Sequence, residues 1–345
     1  MVAMSGGVDS SVAAALLSAA GHEVVGATLK LWGGPSDSGC CSVADVDDAR
    51  RVAQQLGVVH HVFNLSEQFG ARVVDPYVAA HAAGRTPNPC IECNRHVKFD
   101  LLLARARRLG FDALATGHHA RVAAEGGRFA LRRGADLAKD QSYVLSMLGQ
   151  AALAQVLLPV GALTKAEVRR RAADLGLRTA AKPDSQDVCF IHGAEGRRRF
   201  LGRRIPLHAA TVVDGRTGAA VGTVEAVELV TVGQRRGMGH APDGTRRYAV
   251  AVDVPGRRVA VGTAADVAVG AVAVDPATVT WVDRPLAAGA AAYAQLSAHG
   301  EPAACTWEGA RVAFAEPQRP VAPGQTVALY HRDDPGAVAG CGIAA

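Results

Sequence analysis

Residues 5–11, with the sequence Ser-Gly-Gly-Val-Asp-Ser-Ser, are of the types that bind nucleotide phosphates. Gly6 and Gly7 allow backbone N–H groups to approach an anion closely, and three serines add hydroxyl donors. A helix that starts here directs its positive end toward the same anion. No lysine follows the glycines, so the segment is not the Walker loop of kinases and GTPases. The pattern predicts a phosphate site, with Asp9 placed to serve Mg²⁺, rather than a ligand-free turn.

Two cysteines have surroundings that favour thiol chemistry. Cys93 precedes Asn94, near which a helix is predicted to start, and basic side chains follow at positions 95, 96 and 98. A helix N-terminus and nearby cations lower the pKa of a thiol and increase the nucleophilic thiolate fraction. Cys189 follows a Pro-Asp turn and precedes a short apolar run, which predicts a loop edge. Both are candidate catalytic thiols.

The remaining cysteines divide into structural and unassigned thiols. Cys305 and Cys341 lie in apolar β patterns and are predicted to be small buried side chains. Cys40 and Cys41 follow a glycine in a polar loop, and the pattern assigns them no role. Seven cysteines in 345 residues do not make a disulfide framework.

The C-x-x-C spacing of Cys90 and Cys93 raises the question of a metal. A structural zinc site is not favoured because no second C-x-x-C pair occurs nearby. An iron–sulfur cluster held by Cys90, Cys93 and Cys189 stays open as an alternative.

The elements that must position these residues alternate along the first part of the chain. Apolar runs alternate with helical patterns that end at glycines, which predicts parallel βαβ units. From about residue 206, short valine-rich runs alternate with turn signals, which predicts two small all-β units. We therefore expect an α/β, doubly wound parallel sheet with a helical segment in residues 1–205, a central β domain in 206–270 and a barrel-like β domain in 271–345.

Composition restricts the class of protein. No run of about 18 apolar residues occurs and no secretory signal precedes the first strand, so we expect a cytoplasmic protein without membrane association. The net charge of +5 is compatible with a polyanionic partner. Arginine greatly outnumbers lysine, 32 to 5, which indicates a compositional bias and makes the few lysines more informative than the arginines.

Six motifs in a fixed order resemble those of the bacterial tRNA-specific 2-thiouridylases, which belong to the ATP pyrophosphatase superfamily. The motifs extend over nearly the whole chain, so the resemblance does not depend on any one of them. They are S-G-G-V-D-S-S (5–11), G-R-T-P-N-P-x-x-x-C-N with K-F (84–99), A-T-G-H (115–118), K-D-Q-S-Y (139–143), D-S-x-x-x-C-F-I (184–191) and G-Q-R-x-G (233–237).

The resemblance implies ATP-dependent insertion of sulfur at C2 of the wobble uridine of tRNA. In that family ATP adenylates the uridine O2, which makes the oxygen a leaving group. The thiol at the position of Cys189 would carry a persulfide that delivers the sulfur, and the thiol at Cys93 would help to resolve it, so that the two can close a disulfide. The sulfur would come from a persulfide donor such as a cysteine desulfurase or a relay protein.

The resemblance also implies binding residues, including Leu29 packed on the adenine and Asp9 near Mg²⁺. For ATP these are Ala3, Met4, Ser5, Gly6, Gly7, Val8, Asp9, Ser10, Leu29 and Gly117. For the anticodon region of tRNA they are Asn88, Pro89, Cys90, His118, Lys139, Asp140, Gln141 and Gln325. The segment 88–90 would lie against the target base, which must leave its stack.

The chain lacks one motif that is usual in the family, and its arginine clusters have two possible interpretations. The family usually has an Arg-Tyr pair where this chain has Ser297 and Ala298, so a tRNA contact there is doubtful, whereas the stretch around Gln325 matches. Arginines at 197–204 and 235–236 could contact phosphates or be ordinary solvated side chains.

Two other classes fit part of the sequence. Another ATP pyrophosphatase that adenylates a small carboxylate would need neither paired cysteines nor an appended β half. A non-enzymatic RNA-binding protein would not need an intact phosphate loop together with two reactive thiols. Pyrophosphate release from ATP, with and without tRNA, separates the three hypotheses.

Overall fold

The chain forms a parallel α/β region, a small mixed sheet and a closed β-barrel. Cys40 and Cys41 lie outside the part of the chain that can be described. Within that part, no helix is long and apolar enough to cross a lipid bilayer. The computed structural model describes residues 1–32, 42–184, 188–191 and 196–345.

The first region contains strands, α-helices and two π-helical stretches. Its strands are β1 (Val2–Ala3), β2 (Val25–Lys30), β3 (Val59–Asn64), β4 (Leu114–Ala115), β5 (Ala120–Glu125), β6 (Arg128–Arg133) and β7 (Val156–Leu157). Its α-helices are α1 (Val8–Ala19), α2 (Val43–Gln55), α3 (Ser66–Phe69), α4 (Asp75–Ala82), α5 (Pro89–Cys93), α6 (Leu103–Arg108), α7 (Ser142–Leu145), α8 (Gln150–Leu153), α9 (Lys165–Asp174) and α10 (Gly196–Gly202). The π-helical stretches Gly70–Val74 and Asn94–Leu102 join α3 to α4 and α5 to α6.

Strands β1, β2, β3, β4 and β7 form a parallel sheet in the order β3-β2-β1-β4-β7. Val2 and Met4 belong to a core shared with α1, α2 and α9, whereas Ala27 and Leu29 belong to a second core shared with the helix around α5 and α6. The two cores show that helices cover both faces of the sheet. The strand order reverses between β1 and β4, and in such sheets ligands bind beyond the carboxyl ends of the strands at this point.

The second half of the chain is built from antiparallel and mixed sheets. The central sheet has the order β10-β11-β8-β9, in which β8 and β11 are parallel, and the barrel closes in the order β12-β15-β14-β13-β16-β17. The strands are β8 (Ala210–Asp214), β9 (Ala220–Val224), β10 (Tyr248–Asp253), β11 (Arg258–Gly262), β12 (Val269–Trp281), β13 (Ala290–Gln295), β14 (Ala303–Trp307), β15 (Arg311–Gln318), β16 (Thr326–His331) and β17 (Val338–Ala344), with a short helix α11 (Ala264–Val267) before the barrel.

Buried hydrogen bonds attach the barrel to the α/β region. The hydroxyl of Tyr143 donates to the carbonyl oxygen of Thr326 at 2.8 Å. The Tyr330 hydroxyl lies 3.0 Å from the Ser142 hydroxyl and donates to Gln295 at 2.8 Å. Because these groups are buried, leaving them unpaired would cost about 1–3 kcal/mol each, so they fix the barrel against the segment after β6.

The expected parallel sheet followed by all-β units is confirmed, with local differences. Residues 120–133 form a hairpin, β5–β6, that the sequence analysis did not predict. The helical segment expected within residues 1–205 is less regular than predicted, because residues 136–164 contain only short helices before α9. The strand β12 crosses the expected boundary between residues 270 and 271. Short apolar runs fit a strand or a helix equally well, and packing partners decide between them.

Candidate active site

Residues 5–11, here called the phosphate loop, extend from just after the end of β1 into the first turn of α1. Gly6 has φ +73°, and a Cβ at this position would collide with the backbone of Asp45. The hydroxyls of Ser10 and Ser11 donate to the carbonyl oxygen of Gly7 at 3.1 and 2.8 Å. Ser10 and Ser11, whose hydroxyls were predicted to donate to a phosphate, therefore donate instead to the backbone of the loop itself. The backbone N–H groups of the turn, rather than these hydroxyls, are therefore the candidate donors to an anion.

Asp9 stands at the start of α1 between two basic side chains. Its carboxylate accepts hydrogen bonds from the Lys165 ammonium at 2.7 and 2.8 Å, and its Oδ1 lies 3.1 Å from Nε2 of His119. Burial raises the pKa of Asp9, but the hydrogen bonds from His119 and Lys165 outweigh burial and bring the pKa below its ordinary value. Asp9 is therefore an anion at neutral pH.

Asp184 extends the network of ion pairs, because Lys165 pairs with both Asp9 and Asp184. The carboxylate of Asp184 contacts the Lys165 ammonium at 2.9 Å, the Lys139 ammonium at 2.9 Å and the Arg169 guanidinium at 2.7 Å. Burial opposes ionisation, but the bonds from Lys139 and Lys165 lower the pKa of Asp184 far below its ordinary value. Lys139, which was expected at the tRNA, is thus paired with Asp184 within the protein.

Lys182 supplies a second ammonium group at the phosphate loop. Its Nζ donates to the carbonyl oxygen of Gly6 at 2.9 Å and lies 2.6 Å from Asp45 and 2.7 Å from Asp48. Burial lowers the pKa of Lys182, but the two carboxylates outweigh it and raise the pKa above its ordinary value. The loop therefore has a lysine from elsewhere in the chain, although it has none of its own.

The ends of β1, β2 and β4 surround a cavity of about 420 Å³, here called the main cavity. Gly117 after β4 approaches the start of α1 so closely that a Cβ would collide with the backbone of Ser10. Sequence-predicted residues that line the main cavity are Ala3, Met4, Ser5, Gly7, Val8, Asp9, Ser10, Leu29, Pro89, Cys90, Cys93, Gly117, His118, Lys139, Asp140, Gln141 and Cys189. The structure thus brings both candidate thiols and the expected ATP residues other than Gly6 to one cavity.

The helix that carries Cys90 and Cys93 starts earlier than predicted. Asn88 is the N-cap, because its side chain accepts a hydrogen bond from the Cys90 N–H at 3.1 Å, and Pro89 occupies the first turn. Asn94 is not a cap but continues the helix and donates to the carbonyl oxygen of Val144 at 3.0 Å. The helix N-terminus is therefore nearer to Cys90 than to Cys93, which corrects the prediction that a cap at Asn94 activates Cys93.

Cys189 is positioned by its neighbours on both sides. Phe190 is buried against Phe69, Tyr77 and Phe200, with ring centroids 5.6, 5.5 and 5.1 Å apart. Val188 has φ +57°, which is a strained conformation for a β-branched residue. Strain of this kind persists only where surrounding packing imposes it, as at many active sites.

Three of the residues expected at the tRNA make internal bonds. Asp140 accepts hydrogen bonds from the backbone N–H groups of Gly134 and Ser142 at 2.9 and 3.0 Å. Gln141 accepts from the His119 N–H at 2.8 Å. His118 lies 2.7 Å from the Thr116 hydroxyl, and burial together with the charge of Lys98 lowers its pKa well below the ordinary value.

Asn88 and Gln325 lie outside the main cavity and line a smaller one of about 220 Å³, here called the second cavity. The side chain of Gln325 donates to the carbonyl oxygen of Thr86, which joins the barrel to the segment before Asn88. Pro89, Cys90, Val144, Val188 and Ala298 form a wall common to both cavities. No pattern in the sequence predicted this second cavity.

Sequence reasoning also missed Lys165, Lys182 and His119. The two lysines carried a usable signal, because lysine is rare in this arginine-rich chain and four of the five lysines lie at the main cavity or the phosphate loop. His119 follows the matched A-T-G-H motif and had no signal of its own.

Comparison with known proteins identifies the family. Residues 1–193 match the family described as the tRNA methyl transferase HUP domain, and residues 279–343 match the aminomethyltransferase beta-barrel domain. A solved structure, the U34-tRNA thiolase NcsA from Methanococcus maripaludis with its 4Fe-4S cluster, shares 16% sequence identity and covers 59% of this chain and 62% of that chain. Its TM-score of 0.36 is too low to support an argument.

Two full-length relatives are much more similar. The tRNA-specific 2-thiouridylase MnmA of Salinispora arenicola is 46% identical over 350 residues, with 97% of this chain and 95% of the relative covered. The enzyme of the same name from Geobacter metallireducens is 44% identical over 349 residues, with 97% and 94% covered. This extent of identity over nearly the whole length shows that the chain belongs to the family of tRNA-specific 2-thiouridylases.

Proposed function

We propose that the chain catalyses ATP-dependent 2-thiolation of the wobble uridine of tRNA. The observation that carries the proposal is that one cavity contains the phosphate loop, Cys93 and Cys189. A phosphate loop and a thiol pair in one space allow a nucleotide to activate an oxygen and a sulfur to replace it. Family membership supports the same reaction.

The first half-reaction is adenylation of the uridine. The uridine O2 attacks the α-phosphorus of ATP, pyrophosphate leaves, and the base carries AMP on O2. Backbone N–H groups of the phosphate loop would hold the phosphates, Lys165 in the main cavity would offset part of their charge, and Lys182 would hold the loop in place through the Gly6 carbonyl. Asp9 would hold Mg²⁺, since its ionised carboxylate lines the cavity beside the loop. Mg²⁺ would supply charge neutralisation on the phosphate oxygens.

The second half-reaction is sulfur transfer from Cys189. Its thiolate accepts a sulfur atom from a persulfide donor, such as a cysteine desulfurase or a relay protein. The terminal sulfur then attacks C2 of the base and AMP leaves. The Cys93 thiolate attacks Sγ of Cys189, so that the S–S bond to the base breaks, 2-thiouridine is released and a Cys93–Cys189 disulfide forms. A reductant must open that disulfide before the next turnover.

An iron–sulfur cluster on Cys90, Cys93 and Cys189 is the alternative use of these thiols. The three thiols line the same cavity, but the described residues contain no set of three or more His, Cys, Asp or Glu side chains arranged to bind a metal ion. We therefore derive no step through a cluster. Single cysteine variants separate the two uses.

The tRNA would approach across the face formed by the segment 88–90 and the barrel. Pro89 and Cys90 line both cavities, and Gln325 of the barrel lines the second cavity. A nucleotide extruded from the anticodon stack would therefore lie between the segment 88–90 and Gln325. We also propose a three-domain division at residues 1–205, 206–270 and 271–345, with the second boundary moved to the start of β12 (Val269–Trp281), which limited proteolysis would test.

The test is reconstitution with ATP, Mg²⁺, purified tRNA and a persulfide donor. We expect tRNA-dependent pyrophosphate release and formation of 2-thiouridine in the digested tRNA. Pyrophosphate release that depends on a small carboxylate and not on tRNA would instead support the synthetase hypothesis. Binding of tRNA with no pyrophosphate release would support the non-enzymatic RNA-binding hypothesis.

A further inference from the structure

His119 follows closely after the point where the end of β4 meets the phosphate loop. Gly117 approaches the start of α1 so closely that an added Cβ would lie 2.5 Å from the backbone nitrogen of Ser10 and 3.0 Å from Cβ of Asp9. Because no side chain separates the two segments, the chain after β4 lies directly against the first turn of α1. From there the ring of His119 reaches the carboxylate of Asp9.

Among the described residues, the imidazole ring of His119 has its hydrogen-bond partner in Asp9. The side chain of His119 is 4% exposed, and its Nε2 lies 3.1 Å from Oδ1 of Asp9. A carboxylate can only accept, so Nε2 carries a hydrogen and donates it. Nδ1 has no hydrogen-bond partner within the described part of the chain. A buried nitrogen without a partner is unfavourable, so the ring is better explained by what it does to Asp9 than by a contribution to stability.

The backbone of His119 is held on both sides by Gln141. The His119 N–H donates to Oε1 of Gln141 at 2.8 Å, and the Gln141 N–H donates to the carbonyl oxygen of His119 at 2.9 Å. Gly134 packs on the same carbonyl group, where an added Cβ would lie 2.6 Å from the oxygen. The buried carboxylate of Asp140 in turn accepts from the Gly134 N–H at 2.9 Å. The ring of His119 therefore reaches Asp9 from a fixed position.

The two basic partners of Asp9 differ in how firmly they are held. Lys165 donates to both carboxylate oxygens, lines the main cavity and also pairs with Asp184 at 2.9 Å. Its ammonium group can therefore move to Asp184 or to a phosphate when a cation approaches Asp9. The ring of His119 has no such alternative, and it contacts Oδ1. Oδ2 is then the oxygen of Asp9 that becomes available to a metal ion once Lys165 moves.

We propose that His119 is a positioning residue for Asp9 and that Gln141 holds His119 in place. The bond from His119 fixes Oδ1, so that Oδ2 keeps one orientation for Mg²⁺. Orientation matters because Mg²⁺ requires nearly ideal octahedral geometry. This inference rests on the proposed function, because it takes Asp9 as the carboxylate that holds Mg²⁺. It gives Gln141 a role in the active site beside the tRNA contact that the family resemblance implies.

The experiment measures binding of ATP without tRNA, in excess Mg²⁺ and in a metal chelator. Equilibrium dialysis with labelled ATP compares wild type with His119→Leu, His119→Gln, Gln141→Met and the double variant His119→Leu/Gln141→Met. Glutamine at position 119 can still donate an N–H to Asp9, whereas leucine cannot. Thermal unfolding checks that the variants are folded, and Gln141→Met provides a test even if His119→Leu is unstable.

The matched control is His208→Leu, which also removes a histidine that pairs with a carboxylate. Nδ1 of His208 lies 2.7 Å from Oε1 of Glu228, and His208 lines neither cavity. The control therefore shows the effect of losing such a pair away from the nucleotide. We expect its affinity for ATP to equal that of wild type in both conditions.

We expect His119→Leu to reduce the gain in ATP affinity on adding Mg²⁺ about 10-fold, the effect of losing one charge-assisted hydrogen bond. Its affinity for metal-free ATP should change less than about 2-fold, because the loop itself is untouched. His119→Gln should keep the gain within about 3-fold of wild type, since the donor is retained. Gln141→Met should reduce the gain, and the double variant should be no worse than His119→Leu, because Gln141 acts through His119.

Equal losses of ATP affinity with and without Mg²⁺ in His119→Leu would overturn the inference, because the histidine would then only support the fold. A gain in His119→Leu equal to that of wild type would overturn it as well. If Gln141→Met weakened tRNA binding and kept the full gain, Gln141 would contact the tRNA and not hold His119. Failure of the proposed function is distinguishable, because wild type would then form no 2-thiouridine, whereas the gain from Mg²⁺ is measured without tRNA.

Discussion

The ammonium group of Lys182 donates a hydrogen bond of 2.9 Å to the carbonyl oxygen of Gly6, at the centre of the phosphate loop. The same ammonium group forms ion pairs with Asp45 and Asp48 on α2, and Arg178 supplies a second cation to Asp48, so that these carboxylates repel a polyphosphate less. Lys182 and the loop are far apart in sequence, so this contact joins the end of the α/β region to its beginning. Lys182 lies seven residues before Cys189 in the sequence, so one short stretch of chain includes both a contact to the phosphate loop and a candidate catalytic thiol.

Substitution of Lys182 should weaken ATP binding. We expect Lys182→Met to raise the KM for ATP by about 10-fold or more, because loss of a charge-assisted contact costs about 1.5–3 kcal/mol. The control is Arg178→Gln, which removes the more exposed cation on Asp48 and leaves Gly6 untouched. Initial rates of pyrophosphate release at varied ATP concentration measure the effect. Equal KM values for Lys182→Met and the control would contradict a role at the loop.

Asp9 should be required for activation of the base and not for folding. We expect Asp9→Ala to keep its circular dichroism spectrum and to lose at least about 100-fold in tRNA-dependent pyrophosphate release. The reason is that its carboxylate faces the phosphate loop and holds Lys165 in place at 2.7 Å. A folded Asp9→Ala protein with wild-type turnover would refute the assignment.

Cys189 should carry the sulfur. We expect Cys189→Ser to bind ATP and tRNA and to release pyrophosphate, yet to form no 2-thiouridine, because a hydroxyl cannot hold sulfane sulfur. Cys305→Ala, which removes a buried thiol of the barrel, serves as the control. Burial raises the pKa of Cys305 to about 11, so its thiol is inert at neutral pH. Thiolation by Cys189→Ser from a persulfide donor without free sulfide would show that another thiol carries the sulfur.

Cys93 and Cys90 should differ in importance, although the helix dipole no longer favours Cys93. Cys93 faces only the main cavity, together with Cys189, whereas Cys90 lies in the wall between the two cavities. We expect Cys93→Ser to be inactive and Cys90→Ser to keep much of its thiolation activity, as measured by nucleoside mass spectrometry. A Cys93–Cys189 disulfide should be detectable in the wild-type protein after a single turnover.

Two other outcomes for the Cys90 and Cys93 variants would change the roles assigned to these thiols. An active Cys93→Ser beside an inactive Cys90→Ser would exchange their roles. If both single variants are inactive, the three-cysteine cluster becomes the better account, and iron content and absorbance of anaerobically purified protein would then test it.

Local sequence determined the phosphate loop and the class of the sheet. The Gly-Gly turn between an apolar strand and a helix has few backbone conformations, so the position of this turn follows from residues 5–11 alone. The alternation of strand and helix patterns likewise implies parallel pairing without knowledge of distant contacts. The order of six motifs was sufficient to indicate the family.

Tertiary structure decided which charges meet and where the helix with the two thiols begins. A lysine or a carboxylate carries no information about its partner, so the pairing of Lys165 with Asp9 and Asp184 depends on how α9 packs against α1. Asn88 and Asn94 are both good N-cap residues by type. The cap is formed at Asn88, whereas Asn94 lies within the helix and its side chain donates to the carbonyl oxygen of Val144. The second cavity is lined by residues of α4, α10 and the barrel, which are distant in sequence, and no local pattern encodes such a junction.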